Sequence, residues 1–323
     1  MKNKTHQIHK ITVVGTGVIG NGWIARFLAQ GFDVIAFDPA EGAQERTKKA
    51  IAHAWPSLEK LGLADGASQN RVAFLPTIEE AVRDADLIQE NVPERQDLKK
   101  SVLASIDEHA KPDAIIASST SGIMPSILQE GLNHPERLIV AHPFNPVYIL
   151  PLVELVGGEK TEAGIIEQAR QFYESIEMKP LIIQKEIEGH LADRLMEALW
   201  REALHLVNDG VATTEEVDAA IIYGAGLRWA QMGPFLTFHL AGGEKGMCHM
   251  LEQFGPALKL PWTKLEAPEL TDELKEKVIT GCENHAGDTS IAELENKRND
   301  FLVELLDLVE SYWPETTAAA VKN

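Results

Sequence analysis

The amino-acid sequence predicts an α/β protein: a doubly wound, mostly parallel sheet at the N-terminus, followed by an all-α C-terminal domain. Three observations carry that expectation. Short β-branched runs alternate with helical segments from Ile11 to Ile183, the pattern of a parallel sheet wrapped by helices. The first strand breaks into a glycine-rich turn that opens a helix. Beyond Gly189 the strand signals stop and apolar residues recur at helical spacing.

The opening unit is Lys10 to Asp38. Ile11-Thr12-Val13-Val14 has the β-branched character of a buried parallel strand. It runs into Gly15-Thr16-Gly17-Val18-Ile19-Gly20 and an apolar helical stretch, Trp23 to Ala29, closed by Gly31. Val34 to Phe37 is the second strand, and Asp38 stands at its end. A G-x-G-x-x-G turn in this context binds a dinucleotide. Gly15 allows the tight turn, Gly17 lets the backbone approach the pyrophosphate, and Gly20 lets the helix pack close to the strand. The helix N-terminus offers unpaired N–H groups to phosphate. Asp38 would accept hydrogen bonds from the adenosine ribose and repel a 2′-phosphate, which favours NAD over NADP. Gly15, Gly17, Val18, Ile19, Gly20 and Asp38 are therefore the candidate cofactor residues of a Rossmann-type domain.

The remaining elements follow in order. Gly42 to Leu63 has helical composition, and Arg71 to Leu75 reads as a strand. Thr77-Ile78-Glu79-Glu80 is a capping-box signature for a helix through Val82. Asp86 to Glu90 is the next strand, and Leu98 to Ala110 the next helix. The strand Ala114 to Ala117 ends in Ser118-Ser119-Thr120-Ser121, and Arg137 to Ala141 ends in His142-Pro143-Phe144-Asn145-Pro146. Leu152 to Val156 and Pro180 to Ile183 are the last strands, with a helix from Glu162 to Ile176 between them. In such sheets the ligand crevice lies outside the carboxyl ends of the strands, so Gly15, Asp38, Asn91, Ser121 and His142 can share it. The boundary falls at Glu186 to Gly189, giving an NAD-binding domain 1–187 and an all-helical domain 188–323, to which the family resemblance given below assigns substrate binding and dimerisation. The latter opens on a long helix, His190 to Asn208, with Leu191, Leu195, Leu199 and Leu206 on one face. A second capping box, Thr213-Thr214-Glu215-Glu216, follows, and an amphipathic helix spans Ile291 to Trp313.

Composition narrows the function classes. The 323 residues are 44% hydrophobic and 24% charged, with a formal charge of −19. That charge argues against nucleic acid or an anionic membrane as partner. Cys248 and Cys282 are far apart and in no metal-ligand spacing, so no metal site is expected. The polar start MKNKTHQIHK lacks the apolar core of a signal peptide; a soluble cytoplasmic protein is the expectation. His239, His249 and His285 are scattered and read as structural.

Oxidising an alcohol with NAD needs a base for the hydroxyl proton while hydride leaves for the nicotinamide. An imidazole at a strand end beside the crevice, His142, suits that task. Glu154 on the following strand would bind the other ring nitrogen, fixing the tautomer and stabilising the imidazolium. Ser121 would polarise the substrate oxygen. Ser118-x-Thr120-Ser121, His142-Pro-Phe-Asn145-Pro and Leu152-Val-Glu154, together with the glycine turn and Met232-Gly233-Pro234-Phe235, resemble the L-3-hydroxyacyl-CoA dehydrogenase family over nearly the whole chain. The resemblance implies that Ser121 and Asn145 bind the reacting end of the substrate and that His142 and Glu154 form a catalytic dyad. It also implies that Glu94 and Lys99 lie near the nicotinamide ribose and substrate crevice, and that the protein is a homodimer through its second domain.

Where that family carries an asparagine at the start of the long helix, this sequence has Asp193. A carboxylate gains Coulomb energy beside a cationic substrate; equally, Asp193 would pair with Arg194 or cap the helix. Arg228 would hold a substrate carboxylate in a fork. Trp229, Phe144, Tyr148, Phe235 and Phe238 are candidate ring faces for a quaternary ammonium. The stretch from Tyr223 to Phe235, with Gly255 to Lys264, is similar to the L-carnitine dehydrogenase branch of the family. That resemblance implies a zwitterionic 3-hydroxy acid as substrate. L-Gulonate, a 3-hydroxyacyl-CoA, or NAD binding without catalysis are the alternatives.

Overall fold

The computed structural model describes residues 8–230, 232–264, 269, 271–276, 280 and 288–312. Of the residues named above, Cys282, His285 and Trp313 lie outside these. The chain divides into two units, Met1–Arg194 and Leu195–Asn323.

The first unit is built on one eight-stranded sheet. Its strands are β1 (Ile11–Val14), β2 (Val34–Phe37), β3 (Val72–Phe74), β4 (Leu87–Glu90), β5 (Ile115–Ser118), β6 (Leu138–Pro143), β7 (Leu152–Gly157) and β8 (Lys179–Ile183), in the order β3-β2-β1-β4-β5-β6-β7-β8. Every neighbouring pair is parallel except β6 and β7. The order reverses beside β1, which opens a crevice at the carboxyl ends of the strands.

Each sheet face carries its own core. Helices α1 (Val18–Ala29), α2 (Ala43–Leu61) and α6 (Ala163–Ser175) cover one face through Trp23, Phe27, Leu58 and Tyr173. On the other face α3 (Ile78–Val82), α4 (Gln96–His109) and the short α5 (Pro125–Leu128) pack Val82, Leu103, Ile106 and Leu128 against the strands. Strand side chains alternate between these cores: Ile139 and Ala141 go to the first, Leu138 and Val140 to the second. His142 continues the second series, as do Ser118 after Ile116 and Glu90 after Ile88. The polar residues His142, Ser118 and Glu90 thus cap the apolar rows of a single sheet face.

The boundaries depart from the sequence expectation in instructive places. Helix α1 begins at Val18, five residues before Trp23, because Gly17 is extended and the helix starts at once. Its β-branched and glycine-rich first turn hides this from propensity. It ends as expected, with Gly31 left-handed (φ 79°) and the Phe32 amide bonded to the Phe27 carbonyl. Strand β6 runs on through His142 and Pro143 because β7 pairs with it antiparallel over that stretch. The long helix, α7 (Ala192–Asn208), starts two residues late. Gly189 and His190 both take left-handed backbone, φ 71° and 47°.

In the second unit the Thr213 capping box is present in both directions and starts α8 (Thr214–Ala220). Short helices α9 (Gly226–Trp229), α10 (Pro234–Ala241) and α11 (Gly246–Phe254) follow, and a long helix occupies Ile291–Tyr312. On α7 the large apolar side chains Leu195, Met196, Leu199 and Trp200 are exposed in the single chain. No helix among the described residues is long and apolar enough to cross a membrane.

Candidate active site

The glycine turn at the end of β1 is shaped by close approaches. Gly15 is left-handed (φ 86°), and a Cβ there would stand 2.9 Å from the Asn91 carbonyl. A Cβ on Gly20 would collide with the Gly15 carbonyl oxygen, so a side chain is excluded where α1 crosses the turn. At Gly17 a Cβ would meet no other group within 4 Å, so that side of the turn is open. Val18, at the helix start, is 72% exposed, whereas Ile19 is half-buried against the core. Asp38 is tied back to the turn: its Oδ2 accepts from the Thr16 amide (2.7 Å) and hydroxyl (3.0 Å), and Oδ1 from the Ala40 amide (2.9 Å). These residues fit a dinucleotide, with a cradle free of side chains beside a fixed carboxylate.

Further along the same edge, β6 and β7 place His142 directly opposite Glu154 in register. The His142 Nδ1 stands 2.8 Å from Glu154 Oε2, and both side chains are almost wholly buried. The other oxygen, Oε1, accepts from the backbone amides of Leu191 (3.0 Å) and Ala192 (2.9 Å) at the start of α7. Burial works to raise the Glu154 carboxyl. The bond to His142 and the two amide donors outweigh it and hold the group below the usual carboxylate range. An ionised Glu154 accepts a hydrogen bond from a protonated Nδ1 and so leaves the lone pair on Nε2. Facing that Nε2, at 3.6 Å, is Asp193 Oδ2 in the first turn of α7. Arg194 sends its guanidinium to the Glu188 carbonyl.

Two residues absent from the sequence expectation complete this corner. His190 is fully buried, its ring 5.4 Å from that of His142, and its Nε2 lies 3.1 Å from the Thr120 carbonyl. Burial lowers its basicity, and the neighbouring His142 adds to the effect. Its left-handed backbone gave no sequence signal, since residues bearing a Cβ rarely adopt it. Glu90 is the other. Wholly buried at the end of β4, it binds the Lys99 ammonium (2.9 Å), the Ser118 hydroxyl (2.5 Å) and the Val92 amide (2.6 Å). An acid closing an apolar strand was the available signal.

Lys99 is 1% exposed, enclosed by Glu90, the Val92 carbonyl (3.0 Å) and Glu94 Oε2 (3.5 Å). Glu94 spends its other oxygen, Oε1, on the loop after β5: the Thr120 hydroxyl (2.5 Å) and the amides of Ser121 (3.1 Å) and Gly122 (3.2 Å). Ser121 is exposed on that loop, as is Asn145 after β6. Phe144 sits edge-on to His142, 5.6 Å between ring centres, while Tyr148 packs toward the core of the opposite sheet face. Arg228 and Trp229 lie on α9 in the second unit, both exposed; Phe235 and Phe238 are exposed on α10. Among the described residues no group of histidines, cysteines and acids could hold a metal ion.

Residues 10–187 match the family model described as 3-hydroxyacyl-CoA dehydrogenase, NAD binding domain, and residues 189–281 match the C-terminal domain of the same family. The chain belongs to the 3-hydroxyacyl-CoA dehydrogenase family. It is 72% identical over 305 residues to a protein of Oceanobacillus iheyensis named L-carnitine dehydrogenase, covering 94% of this chain and 99% of that one. A Bacillus cereus protein of the same name is 67% identical over 309 residues, 96% and 95% of the two chains. Among solved structures, an NAD+-dependent 5-formyl-3-hydroxy-2-methylpyridine 4-carboxylic acid 5-dehydrogenase superposes with a TM-score of 0.79 at 30% identity, covering 94% of this chain and 99% of the other. A (S)-3-hydroxybutyryl-CoA dehydrogenase from Ralstonia eutropha superposes with a TM-score of 0.65 at 25% identity, covering 85% and 95%. As a 3-hydroxyacyl-CoA dehydrogenase family member, the protein is an NAD-dependent oxidoreductase, its cofactor domain built on the glycine turn described above.

Proposed function

We propose that this protein oxidises the 3-hydroxyl of L-carnitine to 3-dehydrocarnitine with NAD. The observation that carries the proposal is the His142–Glu154 pair at 2.8 Å, in a chain 72% identical to a protein named for that activity. When bound, NAD supplies the acceptor for the hydride lost from the hydroxyl-bearing carbon. Gly15, Gly17, Val18, Ile19, Gly20 and Asp38 would hold it, with Glu94 near the nicotinamide ribose. Lys99, buried behind Glu94, acts by fixing that carboxylate rather than by touching the cofactor itself.

The chain's own residues manage the proton. Glu154 keeps Nδ1 protonated, so Nε2 of His142 is the basic nitrogen and takes the proton of the substrate hydroxyl. The imidazolium that forms lies against a carboxylate already held ionised. Ser121 and Asn145 hydrogen-bond the reacting oxygen, and Glu94 orders the Ser121 loop that presents it. Phe144 shields the imidazole edge. Within the first unit we assign Phe144, edge-on to His142, as a ring face for the ammonium; in the second unit Arg228 is the candidate fork for a carboxylate and Trp229 a candidate ring face, both exposed on α9.

The same reading takes 1–187 as the NAD domain and 188–323 as the substrate and dimerisation domain, in a cytoplasmic homodimer. The exposed apolar row of α7 supports an association through the helical part, since such faces seek burial. NADH formation with L-carnitine, D-carnitine, L-gulonate and a short 3-hydroxyacyl-CoA, assayed side by side, tests the substrate. Turnover of L-carnitine well above the others is expected. Turnover of gulonate or the acyl-CoA in its place refutes the assignment.

A further inference from the structure

The chain from Gly189 to Ala192, at the entry to α7, touches both halves of the site. The Gly189 amide donates to the Gly122 carbonyl (3.4 Å), and the His190 ring meets the Thr120 carbonyl, 3.1 Å from Nε2. A carbonyl can only accept, so Nε2 carries the proton and donates it to this bond. The amides that follow, of Leu191 and Ala192, donate to Glu154 Oε1. The Ser121 loop is thereby gripped from two sides. Glu94 takes the amide protons of Ser121 and Gly122, while the Gly189–His190 turn takes the carbonyls of Thr120 and Gly122.

An imidazole occupies this position at a cost. The His190 backbone is left-handed, φ 47°, a region that residues bearing a Cβ seldom enter. Its Nδ1 is buried and hydrogen-bonds to no group among the described residues, a placement that opposes folding. An apolar side chain would fill the space without that penalty, so stability alone does not account for the residue. The ring lies 5.4 Å from that of His142, and burial holds it toward the neutral form, so it sets no competing positive charge beside the base. We propose that His190 is a positioning residue. By donating to the Thr120 carbonyl it fixes the Ser121 loop relative to the His142–Glu154 pair, so that the polarising serine and the base meet one substrate oxygen. This rests on the alcohol oxidation proposed above and adds to it the part that aligns its two agents.

Substitutions separate this role from a structural one. His190→Phe keeps a ring of similar size and removes the donor. His190→Asn suits left-handed backbone but stops short of the Nε2 position, so it keeps the fold while withdrawing the bond. His190→Gln carries an amide N–H at about the reach of Nε2. In steady-state NADH formation with L-carnitine, Phe and Asn should each lower kcat/KM roughly 10- to 100-fold, and Gln should restore it to within about threefold of wild type. The Kd for NADH should stay within about twofold throughout. The deciding measurement is a double-mutant cycle with Ser121→Ala. Because His190 acts through the serine loop, His190→Phe or His190→Asn made in that background should cost less than about threefold. Equal losses in both backgrounds, wild-type kcat/KM in His190→Asn, or a rise in the Kd for NADH that matches the lost turnover would each overturn the proposal. Additive losses in an enzyme active on carnitine overturn the coupling and leave the function standing. A wild type that oxidises no alcohol overturns the proposed function, and the role of His190 with it.

Discussion

Replacing Glu154 by Gln should abolish most turnover, and the structure says why the isosteric change is so damaging. Glu154 has two acceptor oxygens with different clients. Oε1 takes the Leu191 and Ala192 amides at 3.0 and 2.9 Å, and Oε2 takes His142 Nδ1 at 2.8 Å. A glutamine has one oxygen and one NH2 group. Two backbone donors claim the oxygen, so the NH2 turns toward Nδ1 and donates to it. The proton of the neutral imidazole must then sit on Nε2, the atom that has to accept the hydroxyl proton. The variant also loses the counter-charge of the imidazolium. At an effective dielectric of about 20, unit charges about 4 Å apart interact by about 4 kcal/mol. A transition state with half the proton transferred feels about 2 kcal/mol of that, roughly 30-fold in rate. Tautomer and charge together predict a fall in kcat of about 10³ to 10⁴. Steady-state NADH formation measures kcat, and NADH fluorescence titration should give an unchanged Kd, because Glu154 lies outside the glycine turn. A fall smaller than about tenfold would refute the proton-relay role of the pair.

Two further outcomes test the scaffold. Asp38→Ala removes the acceptor for Thr16 and Ala40 as well as for the ribose, so the Kd for NADH should rise at least about tenfold; an unchanged Kd in the fluorescence titration would refute its place in the cofactor site. Asp86 is buried. Burial raises its carboxyl, but the Lys111 ammonium at 2.5 Å and the His9 and Lys10 amides bring it from 3.8 down to about 2. A folded-state value below the unfolded one gives stability that is present above 3.8 and lost as the pH falls toward about 2. Asp86→Ala should therefore cost about 2 kcal/mol in urea denaturation near neutrality, and the gap from wild type should close across that acidic window. A gap that does not narrow there contradicts the ionic origin.

The opening β-α-β unit and its glycine turn were legible because each piece is local. Gly15, Gly20 and Asp38 sit within one stretch whose conformations are dictated by close approach and a β-branched pattern. His142 and Glu154 were legible as chemistry, but their register was not. The sequence reading ends β6 before His142, and only the antiparallel partner, set by non-local pairing, extends the strand through it. Asp193 was visible as an acid at a helix start, while its closeness to Nε2 depends on the left-handed turn at Gly189 and His190. Glu90 was passed over because a buried acid is intelligible only beside its partners, and Lys99 arrives from a different element nine residues on. Local chemistry reads directly, whereas pairings made by the fold do not.

The antiparallel β6–β7 ladder has a consequence for how such an enzyme drifts over evolutionary time. His142 and Glu154, the two halves of the proposed proton relay, ride on adjacent strands of one hydrogen-bonded sheet, directly opposite each other, so whatever shifts one carries the other along. Ser121 and Asn145, by contrast, hang from separate segments outside that ladder. Under the proposed roles, substitutions of those side chains can retune what is bound while the β6–β7 register that pairs His142 with Glu154 stays in place. A scaffold partitioned in this way can exchange its clientele while keeping its engine. Relatives of the same architecture are named for carnitine, a hydroxyacyl thioester and a pyridine carboxylic acid, and this partition offers a physical route by which that range could arise.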